Sequence, residues 1–333
     1  MWLRLRLLAT LATTQVREMF SSAANGWNRF WFTPADPTTL CVIRILAGLM
    51  LFYSHAVWTL DLSAFFGEQS WLSREVIAAA TRDSYQWSLL SLCRSPAVLW
   101  SVHLIALTSF FLLTIGLWTR IASAIAFVMT VSYAYRSPAA LFGLDQINGL
   151  LSLYLMVGPC GACYSWDALR ARRRGCSLNQ LSVTANLAIR LMQCHLCVVY
   201  LFAGLSKLQG PTWWSGLAFW GGIANQEYQT LDLTWLADYP LLIAAMTHAT
   251  LAWELSYCVL IWNRWARPLM LLGAIVVHLG IVVALGMPTF GLVMLIANVS
   301  FISPQLVRML VSGCGTPSVE LGSAVRTVRQ VSS

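Results

Sequence analysis

Charge is scarce in this sequence, and lysine scarcer still. Only 10% of the 333 residues are Asp, Glu, Lys or Arg while 58% are hydrophobic, where soluble domains carry roughly 25% charged residues. Of the 21 basic residues, Lys207 is the only lysine. So little charge excludes an ordinary soluble globular chain. The apolar runs lack the two-residue alternation of barrel strands, so membrane-spanning helices of about 20 residues are implied. No helix-turn-helix, zinc-finger or RNA-binding signature accompanies the net charge of +8, and the basic run RARRRG (170–175) is short enough to be a topology signal. Nucleic acid is excluded as a partner; the lipid bilayer is the expected one. The nine cysteines are odd in number and lie mostly in apolar runs, where a thiol acts as a small hydrophobe, so no disulfide framework is indicated.

What is present divides the chain into three expected regions. Residues 1–31 open with MWLRLRLLATLATT, whose arginines interrupt the apolar stretch and which no clear cleavage site follows. This reads as an interfacial amphipathic segment rather than a signal peptide. Residues 32–303 form a transmembrane domain, and 304–333 a cytoplasmic tail. The fold class is an all-α polytopic bundle of about eight spans (range six to nine) over about 38–60, 97–117, 120–136, 142–159, 186–206, 240–262, 268–286 and 288–303. The Trp-rich stretch 208–239 is expected to fold back toward the membrane. A cytoplasmic amino terminus puts most arginines inside and Lys207 at the extracytoplasmic end of the fifth span. There is no inverted repeat and no matched pair of Gly/Pro-broken helices, which argues against a transporter.

Ionisable side chains inside a bilayer are costly and invite functional readings. Counting 1.5 Å per residue along each span, His55, His103, Asp145, Lys207 and His248 fall in the outer third, with Trp214 in the aromatic belt beside them. His278 lies near the middle, and Arg44, Arg190 and Glu254 toward the inner half. The outer group is expected to line one pocket, with Asp145 as the partner of Lys207 and the imidazoles suited to proton transfer. A lysine at a span end also snorkels readily, so its position alone decides nothing. Glu254 is expected to pair with Arg44 or Arg190 as a structural clamp. Cys160/Cys163 and Cys194/Cys197 repeat a C-x-x-C spacing, but apolar surroundings favour packing over a metal site.

Several stretches, in order, carry a resemblance: FTPADPTTLCVIRILAG (32–48), IGLWTR (115–120), YRSPAALFGLDQ (135–146), LYLMVGPCGACYSWD (153–167), YLFAGLSKLQGPTWWSG (200–216), and WELSY (253–257) ahead of VVHLGI (276–281). Together they resemble the HTTM membrane-domain family, which includes the membrane half of vitamin K-dependent gamma-carboxylases. The resemblance implies that Lys207 is the catalytic amine that deprotonates reduced vitamin K, and that reduced menaquinone or a vitamin K-type hydroquinone is the cofactor. It also implies a lyase-type carboxylase or oxygenase in a bacterial cytoplasmic (inner) membrane. Arginine could not replace such a base, because it stays protonated. Ser206 stands where the animal enzymes carry a further lysine. Those enzymes also continue into a large extracytoplasmic region that recognises the protein substrate, which sets an expectation against carboxylation of protein glutamate here. A second expectation from the family is a non-catalytic module that assists maturation or export of a secreted peptide.

Overall fold

The computed structural model describes residues 2–82, 85–176 and 180–312, with side chains from Thr14 onward except those of Ala139 and Ser312. Asp83 and the tail from 313, with Arg326 and Arg329, lie outside the described residues. Among the described residues there is no strand, only an isolated bridge between Ala35 and Ser182. The helices are α1 (Trp2–Phe32), α2 (Thr38–Trp58), α3 (Leu62–Phe66), α4 (Arg74–Ala80), α5 (Pro96–Ile115), α6 (Thr119–Arg136), α7 (Gly143–Val157), α8 (Trp166–Arg173), α9 (Val183–Lys207), α10 (Pro211–Trp214), α11 (Ala218–Ile223), α12 (Pro240–Leu260), α13 (Arg267–Ala284), α14 (Pro288–Asn298) and α15 (Pro304–Ser312).

Each of the eight expected segments is helical, and among the described residues four helical stretches are long and apolar enough to cross a membrane: Thr38–Phe66, Pro96–Ile115, Val183–Lys207 and Arg267–Ala284. Pro288–Phe301 is apolar but shorter. The remaining three, α6, α7 and α12, bury polar groups against the protein, among them Arg136, Asn148 and Glu254. Those groups lower hydropathy without facing lipid. Conversely, Leu104, Ile121, Leu241, Leu269 and Val276 are exposed apolar side chains on the outside of the bundle, a surface compatible with lipid contact.

Local chemistry sets the helix ends. Ser95 and Ser182 cap α5 and α9 by accepting from the amides of Val98 and Ala185, and Pro96 occupies the first turn of α5, where its missing N–H costs nothing. Gly116 ends α5 in the left-handed region at φ 73°, a conformation that favours glycine. Beyond it, Trp118 is also left-handed, at φ 47°, and α6 begins. Asp167 holds this corner: its carboxylate accepts from the Trp118 amide (3.1 Å), the Thr119 amide (2.8 Å) and the Thr119 hydroxyl (2.7 Å). The Asp167 amide in turn donates to the Gly116 carbonyl at 3.0 Å. The stretches IGLWTR and YSWD are therefore two halves of one clamp.

Burial alone would raise the Asp167 pKa, but the hydrogen bonds from Thr119 and Trp118, with Arg170 nearby, outweigh it and hold the carboxyl below the ordinary carboxylate range. A depressed folded-state pKa contributes stability that is present above the unfolded value, about 3.9, and is lost as pH falls through the folded value. Asp167→Asn is thus expected to cost about 1 kcal/mol at pH 7, and the gap to wild type is expected to narrow as pH falls below about 3.9. Thermal denaturation of both proteins at pH 7 and pH 3 checks this; an equal gap at both values would exclude the ionised clamp.

Candidate functional site

The helix pair α9 and α12 builds the main polar centre. Gly204 packs against Leu255: a Cβ added there would meet Leu255 Cδ2 at 2.8 Å and Cγ at 3.0 Å. The missing side chain lets the two helices approach. Three residues on, Lys207 lies on the same face of α9 and reaches Glu254, donating from Nζ to Oε1 at 2.9 Å. Oε2 lies equally close at 2.9 Å, yet it makes no hydrogen bond and is buried. The Glu254 side chain is 9% exposed and that of Lys207 25%. The Trp213 ring stands 5.4 Å from Nζ at its centroid, within the range of cation–π attraction.

This pair corrects two expectations about partners. Lys207 does not pair with Asp145, and Glu254 does not pair with Arg44 or Arg190. Depths counted from span ends misled because α9 and α12 are not level. From Leu255, beside Gly204, α12 runs on fifteen residues to Pro240, about 22 Å. The stretch 208–239 packs on this extra length of α12. Thr247 donates to the Gly216 carbonyl at 2.9 Å and accepts from the Phe219 amide at 3.1 Å, and Ile223, Leu236 and Ile243 form a small separate core. Lys207 therefore sits beneath a Trp-rich cap, with Trp214 donating to the Leu208 carbonyl at 2.7 Å and His248 close to Gly216.

Beside the pair lies a neutral network that sequence reasoning missed. Tyr200 OH and His278 Nε2 are 2.7 Å apart, Asn298 Nδ2 donates to Tyr200 OH at 2.9 Å, and Tyr257 donates to Asn298 Oδ1 at 2.6 Å. His278 Nδ1 has no partner among the described residues. The available signal was polar side chains recurring within otherwise apolar spans, Asn298 most clearly, since a buried amide must find partners.

The other candidate residues lie elsewhere. His55 and Asp145 border a different cavity of about 210 Å³ between α2, α6 and α7. His103 is fully buried, held between Tyr133 OH (2.5 Å) and Thr59 Oγ1 (2.9 Å). Asp145 accepts from the Phe142 amide at 2.9 Å at the start of its own helix. Arg44 is fully buried and donates from Nη2 to the Tyr164 carbonyl at 2.5 Å. Arg190 donates to Gln193 at 3.1 Å and stacks over Phe30, 4.4 Å from the ring centroid. Arg136 is also fully buried and gathers the outer loop by donating to the carbonyls of Leu72 and Gly67 and to Ser70 Oγ. Cys163 comes next to Cys41 of α2, its amide donating to Cys41 Sγ at 3.4 Å. Among the described residues no three His, Cys, Asp or Glu side chains converge as metal ligands would.

The model of the family described as "HTTM domain" matches residues 32–305. No curated protein and no solved structure matches the chain.

Proposed function

Because the chain belongs to the HTTM domain family, we propose that the Lys207–Glu254 pair is the proton-accepting centre of a quinol-linked membrane enzyme resembling the vitamin K-dependent gamma-carboxylases. The observation that carries the reading is the sole lysine held 2.9 Å from both oxygens of a 9%-exposed carboxylate. A buried carboxylate held by a single cation, next to the Trp213 ring, fits a planar molecule with a phenolic hydroxyl. Reduced menaquinone or a vitamin K-type hydroquinone has that form. When bound, it would supply the hydroxyl proton and, with oxygen, the strong base implied for carboxylation or oxygenation.

The residues themselves do the proton handling. In a poorly hydrated site an ion pair and its neutral form lie closer in energy than in water, because charge separation loses its hydration. The 2.9 Å hydrogen bond from Lys207 Nζ to Glu254 Oε1 is the path by which the ammonium passes one proton to the carboxylate. That leaves a neutral amine at Nζ, able to accept a proton, and a protonated Glu254. The cap over Lys207 limits water, and Trp213 holds the amine in place.

The membrane arrangement belongs to the same proposal. All eight helices cross the bilayer of a bacterial inner membrane with the amino terminus in the cytoplasm. Arg308 paired with Asp36 at 2.5 Å, the Asp167 clamp and the arginines of α8 support this, since they gather basic residues at the end opposite Lys207.

The test is oxygen-dependent turnover of reduced menaquinone by the purified full chain. Lys207→Ala is expected to lower turnover by about 10²–10⁴-fold. Lys207→Arg is expected to fold and keep its ion pair but remain equally inactive, because the guanidinium does not give up its proton. Wild-type turnover in either variant would remove the lysine from the chemistry. If no turnover appears at all and a specific secreted peptide co-purifies instead, the maturation-module reading takes over.

A further inference from the structure

The cavity between α2, α6 and α7 is a second centre, distinct from the Lys207 site, and Lys207 does not line it. It measures about 210 Å³ and is bordered by Ser54, His55, Trp58, Tyr133, Asp145 and Asn148, among others. Its polar atoms are mainly acceptors left over from the fold. His55 Nδ1 is 2.8 Å from the Leu51 carbonyl, so that nitrogen carries the hydrogen and Nε2 of the neutral ring is a free acceptor. Asn148 is 2% exposed, and its side-chain oxygen has no hydrogen-bond partner, nor has Ser54 Oγ. Tyr133 OH is already engaged with His103, so Tyr133 offers the cavity only its ring.

Asp145 gives the cavity its sign. It is the one formally charged residue in the lining, and among the described residues no cation lies within ion-pair distance of it. An ionisable group at this depth normally has a partner of opposite charge. Among the described residues the protein supplies none, and Lys207 is committed to Glu254. Aromatic rings share the lining with it, Trp58, Tyr133 and Phe142; Trp58 stacks on Phe66 at 4.3 Å between centroids and Tyr133 is edge-on to the same ring. A carboxylate, several unfilled acceptors and aromatic walls together select a small donor-bearing cation.

We infer that this cavity binds a small organic ammonium, a primary amine attached to an apolar or aromatic body, with Asp145 as its counter-ion and Asn148 and His55 as hydrogen-bond acceptors. A quaternary ammonium would leave those acceptors unfilled, and a neutral alcohol would leave Asp145 unpaired. The inference does not depend on the quinol chemistry of the Lys207 centre.

The test uses the full chain in detergent, with 2-phenylethylamine as probe and 2-phenylethanol as its neutral counterpart, reading thermal stability against ligand concentration. The amine is expected to raise Tm along a saturating curve and the alcohol to have no such effect. Asp145→Asn keeps an oxygen able to accept from the Phe142 amide while removing the charge, and is expected to weaken the amine's apparent Kd at least tenfold. Asn148→Leu, which leaves that cap untouched, is expected to weaken it as well and serves where Asp145→Asn does not fold. The inference is overturned if the amine gives no saturable stabilisation, if the alcohol matches it, or if the folded variants bind it as wild type does.

Discussion

Lys207→Met is expected to destabilise the protein by about 3 kcal/mol, near the low end for breaking a buried pair by removing one partner. The loss arises from what is left behind: a Glu254 side chain only 9% exposed, with its counter-charge gone. Glu254→Gln is expected to cost less, about 1–2 kcal/mol. Lys207 is 25% exposed, and its long stem can carry the ammonium to water once the carboxylate is gone. Replacing both, as Lys207→Met with Glu254→Leu, is expected to recover much of the stability, since a well-packed apolar pair replaces a buried ionic one at little net cost. Denaturation of wild type, Lys207→Met, Glu254→Leu and the double variant in the same detergent measures the cycle, with Glu254→Gln read beside it. Equal losses for the two single variants, with additivity in the double, would mean that the two side chains do not interact in the folded protein. The double variant also separates structure from chemistry, because it is expected to be stable and yet inactive.

Gly116→Ala is expected to cost roughly 2–5 kcal/mol, the left-handed backbone contributing about 1–2 and overpacking the rest. Gly116 sits at φ 73°, and a Cβ there would run into the guanidinium of the fully buried Arg44 and into Ser165 Cβ. Arg44 cannot withdraw easily. Among the described residues its one hydrogen bond is to the Tyr164 carbonyl, and Nε and Nη1 lack partners, so displacement adds to an existing deficit of polar contacts. A half-buried glycine with open space around its Cβ position, Gly26, supplies the control: Gly26→Ala, within α1, is expected to be neutral or slightly stabilising. A loss under about 0.5 kcal/mol for Gly116→Ala, the range typical of surface substitutions, would mean that the corner is not the tight junction described.

The helices were legible in the sequence because their signal is local: runs of apolar residues bounded by Ser caps, prolines and glycines. The stretches that carried the family resemblance were legible as strings but not as parts. Nothing in IGLWTR or YSWD announces that Asp167 will receive Trp118 and Thr119. That contact joins residues almost fifty positions apart, and a short polar residue near a helix start has many equivalent local uses. The partner of Lys207 was the costliest miss. Counting rise from each span end assumes that every helix starts in the same plane, whereas α12 overshoots α9 by many residues to carry the cap. Asp145 seemed available for Lys207 because the sequence does not show that it serves its own helix start through the Phe142 amide. What the sequence did expose was the anomaly itself, a single lysine closing an Ala-Gly-x-x run. The glycine of that run supplies the close helix approach, and the lysine supplies the charge that the approach brings to Glu254.

The central claim is that Lys207 and Glu254 exchange a proton when reduced quinone binds. Infrared difference spectroscopy of the full chain, recorded as reduced menaquinone is added, reads the Glu254 carboxyl group directly. The account predicts that a protonated-carboxyl band grows in on binding in wild type and is absent in Glu254→Gln. No change in the carboxyl region, or the same band persisting in Glu254→Gln, would contradict it.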